Sequence, residues 1–224
     1  MVKIKGKEIL EELRSVLSGK TLDAIVPPLI FVLINSIYGL NSAVSVSIVF
    51  ALILTVFRLL RKQTLIYALG GLLGIGAASC LAYLTNSATN YFIEAAIGSA
   101  LLLLVALISL AYKKPMAAWM SHLTRGWPLE WFWRKDVKSA YQEVTWLWSI
   151  LILIRLVIQI ILIQNGDTTQ NAWANVLLGW PVTILVLVFS YIYGIWRLHH
   201  LGGPGVEEYM EGKEPPWRGQ VRGF

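Results

Sequence analysis

The stretch LILIRLVIQI (151–160) places one arginine among apolar residues, and Arg155 is the first point at which this chain could do chemistry. It sits near the middle of an apolar run, 144–164, of the length that crosses hydrocarbon. A charge at that depth costs about 2.5–3.5 kcal/mol on insertion scales, so it turns to a bundle interior, to water or to a partner. Gln159 follows one helical turn later and Trp148 precedes by two, on the same face. Glu94, near the outer end of another apolar run, is the acidic residue best placed to meet the arginine, and Asn35 adds an amide inside a third run. Arg155, Gln159, Glu94 and Asn35 are therefore the candidate binding residues. They admit two uses: a buried pair that fixes helix packing, or a polar site on the path of a small solute or ion. No phosphate loop, nucleophile elbow or metalloprotease motif occurs, which argues against an enzyme and gives no catalytic residue to name. His122 and the adjacent His199 and His200 lack metal-ligand spacing, so neither a metal nor a cofactor is expected.

These residues need elements to hold them, and composition says which kind. Of 224 residues, 56% are hydrophobic and only 14% charged, against about a quarter charged in soluble domains. The apolar residues fall in blocks, which predicts an all-α polytopic membrane protein with six transmembrane helices: 22–40, 42–60, 64–84, 91–112, 144–164 and 171–198. Short polar turns, GLNS, TNSATN and NGDTTQN, separate several of them. Of the 19 lysines and arginines, all but Arg155 fall in the N-terminal segment, the second and fourth connections or the C-terminal side. The positive-inside rule then puts both termini in the cytoplasm. The net charge of +6 is spread between apolar blocks, which suits an anionic membrane surface rather than nucleic acid. Three regions follow: a cytoplasmic amphipathic segment (1–21), a transmembrane domain (22–198) and a cytoplasmic tail (199–224).

Finer features are also legible. Ile9, Leu10, Leu13, Val16 and Leu17 share one face of an amphipathic helix at 7–17. Between the fourth and fifth spans, 113–136 sets Trp119, Trp127, Trp131 and Trp133 among basic residues, the pattern of a segment lying at the headgroup level. The tail is rich in Gly, Pro and charge and reads as mostly disordered. Gly70, Gly74 and Ala78 form a small-residue stripe for helix packing or for a homodimer. Pro27 and Pro28 in the first span and Pro181 in the last are expected to kink their helices. An Ile-Tyr-Gly triplet recurs at 37–39 and 192–194, too short to establish a repeat. Cys80 is the one cysteine, so an intrachain disulfide is excluded.

Four segments carry a resemblance: VPPLIFVLINSIYG (26–39), RLLRK (58–62), YKKPMAAWM (112–120) and SYIYGIWRLHH (190–200). In this order they resemble the bacterial intracellular septation protein A family and its multi-helix membrane relatives, over roughly residues 25 to 200. The resemblance implies a multi-pass protein of the bacterial inner membrane that supports envelope integrity or division. It would do so through partner membrane proteins of envelope synthesis or division, within the lipid bilayer. It brings no catalytic residues with it.

Overall fold

The computed structural model describes the backbone of residues 20–221, 223 and 224, and the side chains from Val26 onward except those of Tyr67, Trp180 and Arg222. The amphipathic helix expected at 7–17 lies outside the described residues. Every regular element described is helical: α1 (Lys20–Tyr38), α2 (Leu40–Leu60), α3 (Leu65–Leu84), a 3-10 turn (Ala88–Phe92), α4 (Ile93–Ala111), α5 (Met116–Arg125), α6 (Leu129–Phe132), α7 (Lys135–Asn165), α8 (Thr168–Leu177), α9 (Trp180–Leu201) and α10 (Val206–Met210).

By length and composition, four stretches are able to cross a membrane: Leu40–Leu60, Ala88–Ala111, Lys135–Asn165 and Thr168–Leu201. Shorter apolar stretches, Val26–Tyr38 and Ala68–Leu84, correspond to the first and third expected spans. Large apolar side chains line the outside, among them Leu33, Leu73, Leu84, Leu101 and Leu185, all more than half exposed. A surface of this kind is stable against lipid and not against water.

Proline and glycine mark several positions along the helices. Pro27 and Pro28 lie inside a continuous α1. Pro181 is no mid-span kink, because it occupies the first turn of α9, where a missing N–H leaves no bond unmade. The sixth expected span is instead interrupted before it, at Leu178-Gly179, which divides it into α8 and α9. Gly39, at φ +80°, separates α1 from α2 in a backbone conformation that L side chains rarely adopt. Gly194, in the second Ile-Tyr-Gly triplet, lies within α9, so the two triplets do different work.

The chain forms two compact units, with boundaries inside α4, α7 and α9. One unit holds the described residues up to Ser99 together with Arg155–Pro181. Its core joins Phe31, Val44, Tyr91 and Phe92 with the small residues Ala43, Ala78, Ala82 and Ala172. The Phe31 and Tyr91 rings stack at 4.0 Å. Ala43, Ser47, Ala51 and Thr55 are buried at four-residue intervals along α2, and α2 packs on α3. The Thr55 hydroxyl donates to the Ala51 carbonyl at 2.7 Å and approaches that of Ala68 at 3.5 Å. The packing seam thus differs from the expected stripe. Ala78 is buried, but Gly70 faces open space, and a Cβ on Gly74 would stand 3.6 Å from a carboxylate oxygen of Glu94. Gly71 is the glycine that close packing requires, since a Cβ there would overlap the guanidinium of the buried Arg58.

The other unit holds Ala100–Ile154 and Val182–Phe224. Its core is aromatic, with Trp131, Phe132 and Tyr141 fully buried beside Val137, Val144, Leu198 and Val206. Phe132 meets Trp131 and Tyr141 edge-on, each at 5.0 Å between ring centroids. Trp131 is therefore a core residue, not a headgroup anchor, and its indole N–H donates to the Pro204 carbonyl at 3.0 Å. Composition suggests disorder for 199–224, yet here the tail takes a defined course. The Glu208 carboxylate accepts from the backbone N–H groups of Arg218, Gly205 and Gly219 at 2.8–3.1 Å. The Phe224 ring stacks on Tyr141 at 4.2 Å and 6° and rests against Gly194.

Candidate functional site

The first unit contains a polar cluster where α7 meets α8. The turn between them is built from short-range rules. Gly166 adopts φ +77°, and Asp167 caps α8 by accepting the Gln170 N–H at 2.9 Å. The Thr89 hydroxyl, from the 3-10 turn, donates to the Gly166 carbonyl at 2.9 Å. This turn sets α8 against the last turns of α7, with Asn171 opposite Leu162 and Asn175 opposite Gln159.

Three amides then join in series. Gln159 Nε2 donates to Asn175 Oδ1 at 2.9 Å. Asn175 Nδ2 donates to the Asn171 carbonyl at 2.9 Å. Asn171 Nδ2 donates to the carbonyls of Leu162, at 2.7 Å, and Asp167, at 2.9 Å. Gln159 is 1% exposed and Asn171 fully buried. Despite that burial, Gln159 Oε1 and Asn171 Oδ1 accept no hydrogen bond among the described residues, and the buried Nε of Arg155 donates none. A buried polar group left without a partner costs about 1–3 kcal/mol, so groups of this kind in a native fold ask for a further occupant.

Of the residues singled out from sequence, Arg155 and Gln159 lie on the less exposed face of α7, as their spacing requires. Among the described residues no ion pair joins Arg155 to Glu94. Glu94 stands on the exposed side of α4, with a carboxylate oxygen near Gly74 of α3. Asn35 is half-buried on α1, and its carbonyl accepts the Gly39 N–H at 3.1 Å. No described hydrogen bond draws its side chain into the cluster. Trp148 belongs to the other unit, where its indole N–H donates to the Ser190 hydroxyl at 2.8 Å. Asn171 and Asn175 are the residues that sequence reading passed over. Their signal was present in NAWAN, two amides one helical turn apart at the head of an apolar run.

Residues 18–197 match the model of a family described as proteins of unknown function, DUF3159. The chain belongs to the DUF3159 family. No curated protein and no solved structure matches it. The match takes in the whole amide cluster of this DUF3159 protein and stops at Arg197, just before the tail.

Arg197 itself completes a second polar group, in the other unit. Its Nε and Nη2 donate to both oxygens of Glu143 at 2.8–3.1 Å, and the Tyr193 hydroxyl donates to the same carboxylate at 2.6 Å. This bidentate pair ties α7 to α9. Nearby, Arg134 binds Asp136 at 2.7 Å and lies over the rings of Trp217 and Tyr209, at 5.3 and 5.9 Å. The Asp136 bond holds the Arg134 guanidinium above even its usual high pKa. All of these groups are satisfied, and they read as structural. The α7–α8 cluster, whose acceptors are not satisfied, is the candidate site.

Proposed function

We propose that this DUF3159 protein is a six-span integral membrane protein that admits a small polar solute or ion to the Arg155–Gln159–Asn171 cluster. One observation carries the reading: among the described residues, two fully buried carboxamide oxygens and a buried arginine nitrogen have no partner. The polar groups Glu143, Tyr193 and Arg197 of the other unit, by contrast, close on each other. The interruption at Leu178-Gly179 supports the same reading, since discontinuous helices in transporters line midplane sites.

The charge distribution supports cytoplasmic termini, with the α7–α8 turn on the opposite side of a bacterial inner membrane. In that setting α5 lies at the headgroup level. Met116, Ala117, Ala118 and Ser121 face the core, while Trp119, Met120 and Leu123 stay exposed beside Lys113, Lys114 and Arg125. The second reading, envelope or division support through partner membrane proteins, is favoured by the four segments that resemble the septation protein A family. The folded aromatic layer formed by α5, α6 and the tail gives such partners a defined surface.

Cysteine accessibility tests the leading reading. In a Cys80→Ser background, Asn175→Cys should react with a small hydrophilic thiol reagent in intact membranes, while Ile161→Cys, on the exposed apolar face of α7, should not. An unreactive Asn175→Cys in a folded protein would mean that no aqueous path reaches the cluster.

A further inference from the structure

We infer that the corner between α4 and α5 is a seat for an anionic phospholipid. The inference rests on the headgroup-level placement of α5 above and adds which lipid sits there. It begins with a constraint of chain length. The apolar stretch Ala88–Ala111 ends at Ala111, and α5 begins at Met116. The four residues between them span at most about 14 Å even when extended. Here they turn instead. The Lys113 N–H donates to the Leu110 carbonyl and the Lys114 N–H to that of Ser109, both at 2.9 Å, the paired bonds that end a helix on a left-handed residue. The start of α5 is then pinned, with the Met116 N–H on the Ser109 hydroxyl at 2.9 Å and the Ala117 N–H on the Thr145 hydroxyl at 3.1 Å. α5 is thereby kept beside the end of its span.

Two properties of this corner select the occupant. The first is an apolar face held outward. Ala117, Ala118 and Ser121 are buried, while Trp119, Met120 and Leu123 are exposed, Leu123 by 74%. The second is positive charge without a counterpart. Residues 111–126 contain no aspartate or glutamate. Lys113 and Lys114 are exposed, and among the described residues neither pairs with a carboxylate, whereas Arg134 and Arg197 do. The Lys114 Nζ lies 5.7 Å from the centre of the Trp133 ring, itself 5.8 Å from that of Trp119, which sets one charge close to the apolar face. Lys113 adopts φ +54°, where glycine or asparagine sits with less strain. A cation kept there in spite of the strain points to a use for its charge.

Other occupants meet only part of this. An acidic peptide or a nucleic acid would satisfy the lysines and leave Met120 and Leu123 in water. A second copy docked through the same patch would set lysine against lysine. Phosphatidylcholine suits the apolar face, but its own ammonium cancels its phosphate. A phospholipid of net negative charge meets both demands, its phosphate toward Lys113 and Lys114 and its upper acyl chain toward Trp119, Met120 and Leu123.

The test uses the full chain in phosphatidylcholine nanodiscs, in a Cys80→Ser background, with a fluorophore on Leu123→Cys. Lipids brominated in the upper acyl chain are titrated in and quench the fluorophore where they touch it. Brominated phosphatidylglycerol should quench at least about tenfold more effectively than brominated phosphatidylcholine, since each lysine near an anionic surface favours occupancy about fivefold. Lys113→Asn with Lys114→Gln should bring the two lipids level, and asparagine suits the left-handed backbone. Lys113→Arg with Lys114→Arg should keep the preference. Raising the salt concentration should narrow it in the parent chain, a measurement that needs no charge variant. A fluorophore on Leu102→Cys, exposed within α4, is the reference and should be quenched equally by both lipids. Equal quenching at residue 123, or a preference that survives loss of both lysines, overturns the anionic seat and leaves α5 at the headgroup level. Quenching at residue 102 with none at 123 overturns both. No quenching at either position removes the membrane placement itself, while the solute reading of the α7–α8 cluster is decided separately by Asn175→Cys.

Discussion

Gly194→Ala is expected to release the tail. The new Cβ would overlap the Phe224 ring, which must then leave its stacked position on Tyr141 at 4.2 Å. Phe224 is partly buried, so its displacement forfeits about half of the roughly 1.5–3 kcal/mol that full burial of a phenylalanine provides. The stacked pair with Tyr141 adds about 0.5–1.5 kcal/mol. A loss of about 2 kcal/mol corresponds to a roughly 25-fold shift in the docking equilibrium of the tail. Hydrogen exchange checks it at the Gly223 amide, which donates to the Tyr191 hydroxyl at 3.4 Å, and at the Val206 amide, which donates to Gln220 Oε1 at 2.9 Å. Both should lose protection by a factor of that order. Phe224→Ala should match the effect, and the double variant should add nothing to either single one, because each removes the same contact. Unchanged protection in Gly194→Ala, or additive losses in the double variant, would refute the account of how the tail is held.

Three further outcomes are expected. Glu208 accepts the Arg218, Gly205 and Gly219 N–H groups, which holds its carboxyl below the ordinary value of 4.5. The tail contacts it makes are thus fully present above that value and fade as pH falls through the lowered one, so acid should speed tryptic cleavage at Arg218, and Glu208→Gln should abolish this pH dependence. Gly71→Leu should lower the melting temperature in detergent, by an overpacking cost of about 1–3 kcal/mol, whereas Gly70→Leu, facing open space, should not; the reverse order would misplace the α2–α3 seam. Stability effects of Arg155→Leu and Glu94→Leu should add within about 0.5 kcal/mol, as for residues that share no contact, and a larger coupling would reinstate the ion pair.

Helical class and apolar runs were legible because lipid imposes a length and a composition on whatever crosses it, and α2, α3 and α4 follow the expected blocks closely, while α7 starts nine residues before its block. The inward face of α7 was also legible, since the arginine and glutamine that lipid would reject fall one turn apart. What escaped was anything decided by a second segment. Glu94 looked like a partner only while helix neighbours were unknown; once α3 and α4 are placed, its carboxylate lies by Gly74. The Gly70/Gly74/Ala78 stripe has the right period, but period cannot say which of several small faces meets a neighbour. The stripe on α2, Ala43-Ser47-Ala51-Thr55, has the same period and went unread because two of its members are hydroxyl residues. The tail misled for a related reason. Glycine, proline and charge signal the lack of an apolar core, and here Trp131, Tyr141 and Gly194, far away in sequence, provide the core that the tail lacks.

The α2–α3 seam has a consequence for how this family can diverge. Every fourth position of α2 from Ala43 to Thr55 is buried against a neighbour, while Val49, Ile53 and Val56 on another face look outward and are more than half exposed. Mutational drift on the outer face is limited only by hydrophobicity, and leucine, valine, isoleucine and phenylalanine are interchangeable there. On the inner face it is limited by volume, and a methylene added against α3 must be answered by a loss there, as at Ala68, since Gly71 has nothing left to give. Aligned DUF3159 sequences should therefore show two clocks along this one helix, a fast one set by lipid and a slow one, ticking every fourth residue, set by the neighbouring backbone.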